Sequence, residues 1–169
     1  HVRSRRQRQM CIRDSTIMHQ EFCKIFSRFV EENGIKENEF GLEITETAEL
    51  EDTKKAGESL ERLKKRGIKI ALDDFGAGYA SLKYIRDLPI DVVKLDRHFT
   101  SNISDPSTSR LIKFVSDVCA ELNLEMIGEG IETEKEKNMM IELGCVTGQG
   151  FLMHMPSFIE DIKKENNDG

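Results

Sequence analysis

Ile68-Lys69-Ile70-Ala71-Leu72-Asp73-Asp74 is an apolar run that stops on two adjacent carboxylates, and Phe75-Gly76-Ala77-Gly78 follows it as a glycine-rich turn. Three other stretches end in the same manner: Gly41-Leu42-Glu43-Ile44-Thr45-Glu46, Val92-Val93-Lys94-Leu95-Asp96 and Glu125-Met126-Ile127-Gly128-Glu129-Gly130-Ile131-Glu132. The segments between them carry helical periodicity, so the chain reads strand, helix, strand, helix. In a parallel α/β barrel the C-terminal ends of all strands meet on one rim. Glu43, Asp73, Asp74 and Glu129 would then share one cup. Carboxylates so gathered repel one another unless cations intervene, and a divalent metal site is the leading expectation.

Outward from these stretches, the periodicity predicts helices over 19–32, 53–66, 134–143 and 158–164, and a short helix carrying Leu82, Ile85 and Leu88 that Pro89 ends. A long helix is expected to bury Leu111, Val115, Val118 and Leu122 after a polar linker over 101–109, and a last strand is expected over 146–151. Residue patterns alone place Met126, Met139, Met140, Phe151 and Met153 in packing roles. His19, His98 and His154 lack ligand spacing and read as surface or structural residues.

The chain of 169 residues is long enough for one domain but short for an eight-stranded barrel, which needs about 250. Its net charge is −6. Residues 1–15 hold five arginines against Asp14, and the remainder holds 20 basic and 30 acidic residues. So acidic a body is unsuited to a nucleic-acid polymer. Cys11, Cys23, Cys119 and Cys145 show neither zinc spacing nor a disulfide framework, and Cys119 reads as a buried thiol. There is no apolar run of membrane-spanning length and no secretory h-region, so a cytoplasmic location is expected, with an upstream membrane tether compatible.

Asp73-Asp74 read alone divides evenly between a metal pair and a helix-capping turn. The glycines that follow tip the reading toward a loop over a site. Glu43 alternates with Leu42 and Ile44, and Lys94 interrupts an apolar strand, so in a barrel both point inward and require partners. Glu129, Glu132 and Gln149 are weaker signals taken singly.

Taken in order, Leu42-Glu43-Ile44-Thr45-Glu46, the run from Asp73 through Leu82, Lys94-Leu95-Asp96, Glu129-Gly130-Ile131-Glu132 and Gln149-Gly150 resemble the motifs of the EAL domain. That family comprises bacterial phosphodiesterases specific for cyclic di-GMP, built on a modified TIM barrel, and the likeness spans residues 16–160. It implies two Mg²⁺ or Mn²⁺ ions, with Glu43 and Asp73 on the first, Asp73 bridging, and Asp74 and Glu129 on the second. It implies that Lys94 positions or polarises the attacking water, with Glu129 and Gln149 in the catalytic set. Glu46 would anchor the glycine-rich loop, and Asp96 and Glu132 would support the site. The reaction implied is hydrolysis of cyclic di-GMP to linear pGpG.

Gly128 stands where the family usually has alanine. Two departures weigh more: the glutamate of the name-giving strand and the asparagine of the next strand find no counterpart. The expectation is an incomplete (β/α) barrel over residues 16–165, inactive by itself, with a polar tail over 166–169. Residues 1–15 resemble the translation of a sequencing adapter and are expected to lie outside the fold, with native sequence cut away upstream. Cyclic di-GMP is the expected partner, and a homodimer and an upstream sensory or GGDEF-type domain are compatible with the family. Two other readings are a non-catalytic cyclic di-GMP receptor and a two-carboxylate barrel glycosidase. Retention of the strand-end acids argues against the first, and adjacent Asp73-Asp74 with Lys94 against the second.

Overall fold

A computed structural model of the chain describes residues 8–12, 24–26, 28–29, 32–33, 40–45, 52–77 and 81–153. The expected helix over 158–164 and residue Glu46 lie outside the described residues.

Six parallel strands form one sheet in sequence order: β1 Arg8–Ile12, β2 Phe40–Thr45, β3 Lys69–Phe75, β4 Val92–Leu95, β5 Glu125–Gly128 and β6 Thr147–Gly148. Helices cross between them: α1 Thr53–Lys64, α2 Ser81–Asp87, α3 Arg97–Ser101, α4 Pro106–Glu121 and α5 Glu134–Glu142. The α/β barrel-type architecture read from the sequence is the one observed. Sequential order with parallel pairing is what repeated βα units produce, because each helix returns the chain to the same end of the sheet.

Strand alternation separates two environments. Leu42, Ile44, Ile70, Leu72, Val93 and Leu95 are wholly buried in one core with Ala56, Leu60 and Leu63 of α1. Each large aliphatic side chain so buried contributes about 1.5–3 kcal/mol. Glu43, Ala71, Asp73, Val92 and Lys94 are also buried but stand outside that core, on the alternate positions.

The structure departs from the sequence reading at several places. Residues 1–15 are expected outside the fold, yet Arg8–Ile12 pairs along β2 with Cys11 opposite Glu43. Around 24–33 the described residues are mainly helical, as expected over 19–32, with Phe26 buried and Ile25 and Phe29 exposed. The linker over 101–109 includes the end of α3 and the start of α4, where Asp105 caps Pro106 at the first turn. Helix α4 buries Ile112, Val115, Ser116 and Cys119, leaving Leu111 and Leu122 exposed. That face is turned by one residue from the expected one, because α4 is apolar on two stripes and packing against the sheet selects between them. The last strand contracts to Thr147–Gly148, and Val146 and Phe151 are exposed.

Candidate metal and phosphodiesterase site

The strand ends build the site through one irregularity in β3. Leu72 pairs with Val93 and Phe75 with Leu95, so Asp73 and Asp74 together stand opposite Lys94. This is a β-bulge, and Asp74 has φ of +54° within it. A regular strand would send adjacent side chains to opposite faces. The bulge instead lets two consecutive carboxylates reach the same place. Aspartate tolerates the left-handed region better than most residues, which makes the strain bearable here. Gly76 follows at φ +94°, and a Cβ on it would lie 2.2 Å from the Phe99 ring.

Lys94, only 3% exposed, gathers the neighbouring strand ends. Its Nζ lies 2.7 Å from Glu43 Oε1, 2.7 Å from Asp73 Oδ1 and 2.7 Å from Glu129 Oε1. Burial by itself would push the ammonium down, but hydrogen bonds to Asp73, Glu129 and Glu43 outweigh it and hold its pKa above the usual lysine range. Lys94 is therefore a fixed cation. Burial also pushes Glu129 up; the Lys94 charge pulls it back, the charges of Asp73 and Asp74 add to the rise, and the net direction is upward.

Glu129 sits one residue past β5, its N–H donating to the Leu95 carbonyl at 3.2 Å. Gln149 reaches it from beyond β6, Nε2 donating to Glu129 Oε1 at 2.6 Å. The Gln149 N–H donates to the Gly128 carbonyl, and the Ile131 N–H to the Gln149 carbonyl, which locks the two strand ends together.

Asp73, Asp74 and Glu129 each offer a carboxylate oxygen, all within 4.8 Å of one another. One ammonium against four carboxylates leaves the cup negative. Hard oxygen donors of this kind fit a divalent cation such as Mg²⁺ or Mn²⁺. The cup thus brings together Glu43, Asp73, Asp74, Lys94, Glu129 and Gln149.

Two other sequence candidates serve differently. Asp96 caps α3, its carboxylate accepting from the His98 N–H at 2.8 Å. Glu132 points into a cleft of about 330 Å³ that also has Arg97, Glu129, Gln149, Gly150 and Phe151 in its lining. The sequence does not single out Arg97, and it places Phe151 in a packing role, whereas Phe151 is 54% exposed. The available signal for Arg97 was its place directly after Lys94-Leu95-Asp96, on the rim where strand ends meet. His98 is exposed, in line with the surface role expected of it. Cys119 and Cys145 are free and buried, and burial pushes their thiols up to about 11 and about 12.

The EAL domain family matches the chain over residues 4–156. The chain belongs to the EAL domain family. Among its relatives, the cyclic di-GMP phosphodiesterase PdeA of Borreliella burgdorferi is 41% identical over 116 residues, covering 68% of this chain and 17% of that protein. The EAL domain of Mycobacterium smegmatis DcpA superposes with a TM-score of 0.88 at 27% identity, covering 95% of this chain and 73% of that one. Klebsiella pneumoniae BlrP1, solved as a manganese and cyclic di-GMP complex, superposes with a TM-score of 0.79 at 25% identity, covering 88% of this chain and 38% of that one. The chain spans about a fifth of the length of the curated relatives it matches. Among the described residues no helix is long and apolar enough to cross a membrane.

Proposed function

We propose that this EAL domain hydrolyses cyclic di-GMP to linear pGpG with two Mg²⁺ or Mn²⁺ ions. The observation that carries the reading is the convergence of Asp73, Asp74 and Glu129 on one point beside the buried Lys94 ammonium. Relatives named as cyclic di-GMP phosphodiesterases support the substrate. Glu43 and Asp73 would hold one ion, and Asp73, Asp74 and Glu129 the other. Bound there, such ions supply Lewis-acid charge to the phosphoryl oxygens and a hydroxide at neutral pH.

The chain's own residues do the rest. The bulge presents Asp73 and Asp74 from one backbone segment, so their separation is set by covalent geometry. Lys94 limits the mutual repulsion of the acids and, being permanently charged, cannot act as a general base near neutral pH. Gln149 donates to Glu129, which fixes the orientation of that carboxylate and leaves its other oxygen available to an ion.

The test is product analysis after incubating cyclic di-GMP with the domain completed by the two preceding barrel strands of a homologous EAL domain. Metal-dependent release of pGpG, stopped by a chelator, is expected. Asp73→Asn should abolish turnover while lowering cyclic di-GMP affinity far less, because base contacts persist. Near-normal turnover of that variant at saturating Mn²⁺ would remove Asp73 from its bridging role.

A further inference from the structure

Asp74 reaches the cup from backbone that regular strand pairing does not set. It stands in the β3 bulge at φ +54°, where the register to β4 jumps from Leu72–Val93 to Phe75–Leu95. Directly after it the chain turns, with the Ala77 N–H donating to the Asp74 carbonyl at 3.0 Å and Gly76 at φ +94° inside the turn. Glycine crosses its dihedral range at little cost, so this turn needs support from outside to hold one shape. Asp73 and Glu129 are better placed, since each is ion-paired to the buried Lys94 at 2.7 Å.

The support comes from α3. The Asp96 N–H, at the cap of that helix, donates to the Phe75 carbonyl at 3.3 Å. One turn on, the Phe99 ring lies against Gly76: a Cβ there would meet Phe99 Cε2 at 2.2 Å and Cζ at 2.6 Å. The other side of α3 meets the residue after Glu129, since a Cβ on Gly130 would lie 2.8 Å from Arg97 Cβ. Helix α3 therefore stands between the backbone segments that carry Asp74 and Glu129. It is itself held firmly: Thr100 and Ile103 are buried, and Phe99 packs against the main core. The contact at Gly130 uses a Cβ that almost any residue supplies, whereas the contact at Gly76 uses the far ring carbons of a phenylalanine.

We propose that Phe99 is a positioning residue that sets Asp74 for a divalent cation, by pressing its ring on Gly76 and fixing the turn that closes the β3 bulge. The proposal rests on the metal reading of the cup given above. Without the ring, Gly76 regains its freedom and the Asp74 carboxylate samples positions away from Asp73 and Glu129. A cation would then have to order Asp74 as it binds, and its affinity falls. The loss passes through Asp74 alone, because the Lys94 ion pairs of Asp73 and Glu129 do not involve Phe99. Asp73, Asp74 and Glu129 all belong to this chain, so the full chain is the protein to test.

Mn²⁺ alone is titrated into the full chain, with the free ion followed by electron paramagnetic resonance. Phe99→Ala is expected to weaken Mn²⁺ binding about tenfold, the usual scale when a residue supporting a metal ligand is removed. In an Asp74→Asn background the same substitution should change affinity by less than about twofold, because the ligand it acts through is already gone. A residue that only stabilised the fold would lower affinity equally in both backgrounds, or lower only the melting temperature, and either result overturns the proposal. Phe99→Leu withdraws the ring carbons nearest Gly76 but keeps an apolar side chain on the core. It should weaken Mn²⁺ in the same direction, and it carries the test if the alanine variant does not fold. Wild-type affinity in Phe99→Leu or in folded Phe99→Ala overturns the positioning role and leaves the phosphodiesterase reading standing. Failure of the wild-type chain to bind Mn²⁺ overturns both.

Discussion

At the scale of single residues, Lys94 is the group on which the most charge depends. Its ammonium meets Glu43, Asp73 and Glu129 at 2.7 Å each, and it is nearly inaccessible to water. Lys94→Met removes the cation and leaves the buried acids Glu43 and Asp73 beside the half-buried Glu129, at an expected cost of about 3–5 kcal/mol measured by urea unfolding at pH 7 without added metal. A loss well under 1 kcal/mol would show that the acids rearrange without it. The pH dependence has a definite sign. Because the folded pKa is raised, the stabilisation by Lys94 is fully present below the ordinary value of 10.5 and is lost only as the pH rises through the folded value. The gap between wild type and Lys94→Met should therefore hold constant from neutral pH to about 10.5 and narrow in stronger base. Lys94 and Glu43 were legible in sequence, since charged residues among strand apolars demand partners. Arg97 and Phe151 were not, because an exposed arginine and a phenylalanine near an expected strand have the commonest surface and packing roles.

At the scale of elements, the helices start where short polar side chains stand before them. Asp52, Asp105 and Thr133 cap α1, α4 and α5, and Thr133 forms a reciprocal capping box with Glu136. The Asp105 carboxylate accepts from the backbone N–H groups of Thr108 and Ser107, and these bonds hold its pKa below the usual carboxylate value. A lowered folded pKa means stabilisation present above the ordinary value of 3.8 and lost as the pH falls through the folded one. Asp105→Ala should lower the melting temperature by a few degrees at pH 7, and the difference should vanish in strong acid. An equal difference at pH 2 and pH 7 would deny the cap its ionic part. Strand β3 teaches the opposite lesson. Its apolar alternation is plain in sequence, but the bulge that turns Asp74 beside Asp73 is not, because the extra residue is defined only by its pairing with β4.

At the scale of the molecule, the sheet described has six strands, with β1 and β6 at its two ends. End strands carry unpaired backbone groups, and a closed barrel removes them. The chain covers 73% of a solved EAL domain. Joined to two preceding strands from a homologous domain, it is expected to unfold more cooperatively and to hydrolyse cyclic di-GMP at least a hundredfold faster than the chain by itself. Equal turnover of the two proteins would place all the chemistry within these residues. The order of strands from β2 to β6, the parallel sheet and the cup of acids were determined by sequence alone, because each depends on local periodicity and on residues fixed at strand ends. Tertiary structure alone decided three things: that Arg8–Ile12 joins the sheet, that α4 buries Ile112 rather than Leu111, and that Arg97, Glu132 and Phe151 share a cleft. Each of these turns on which of several acceptable surfaces meets a neighbour distant in sequence, and local pattern carries no record of that choice.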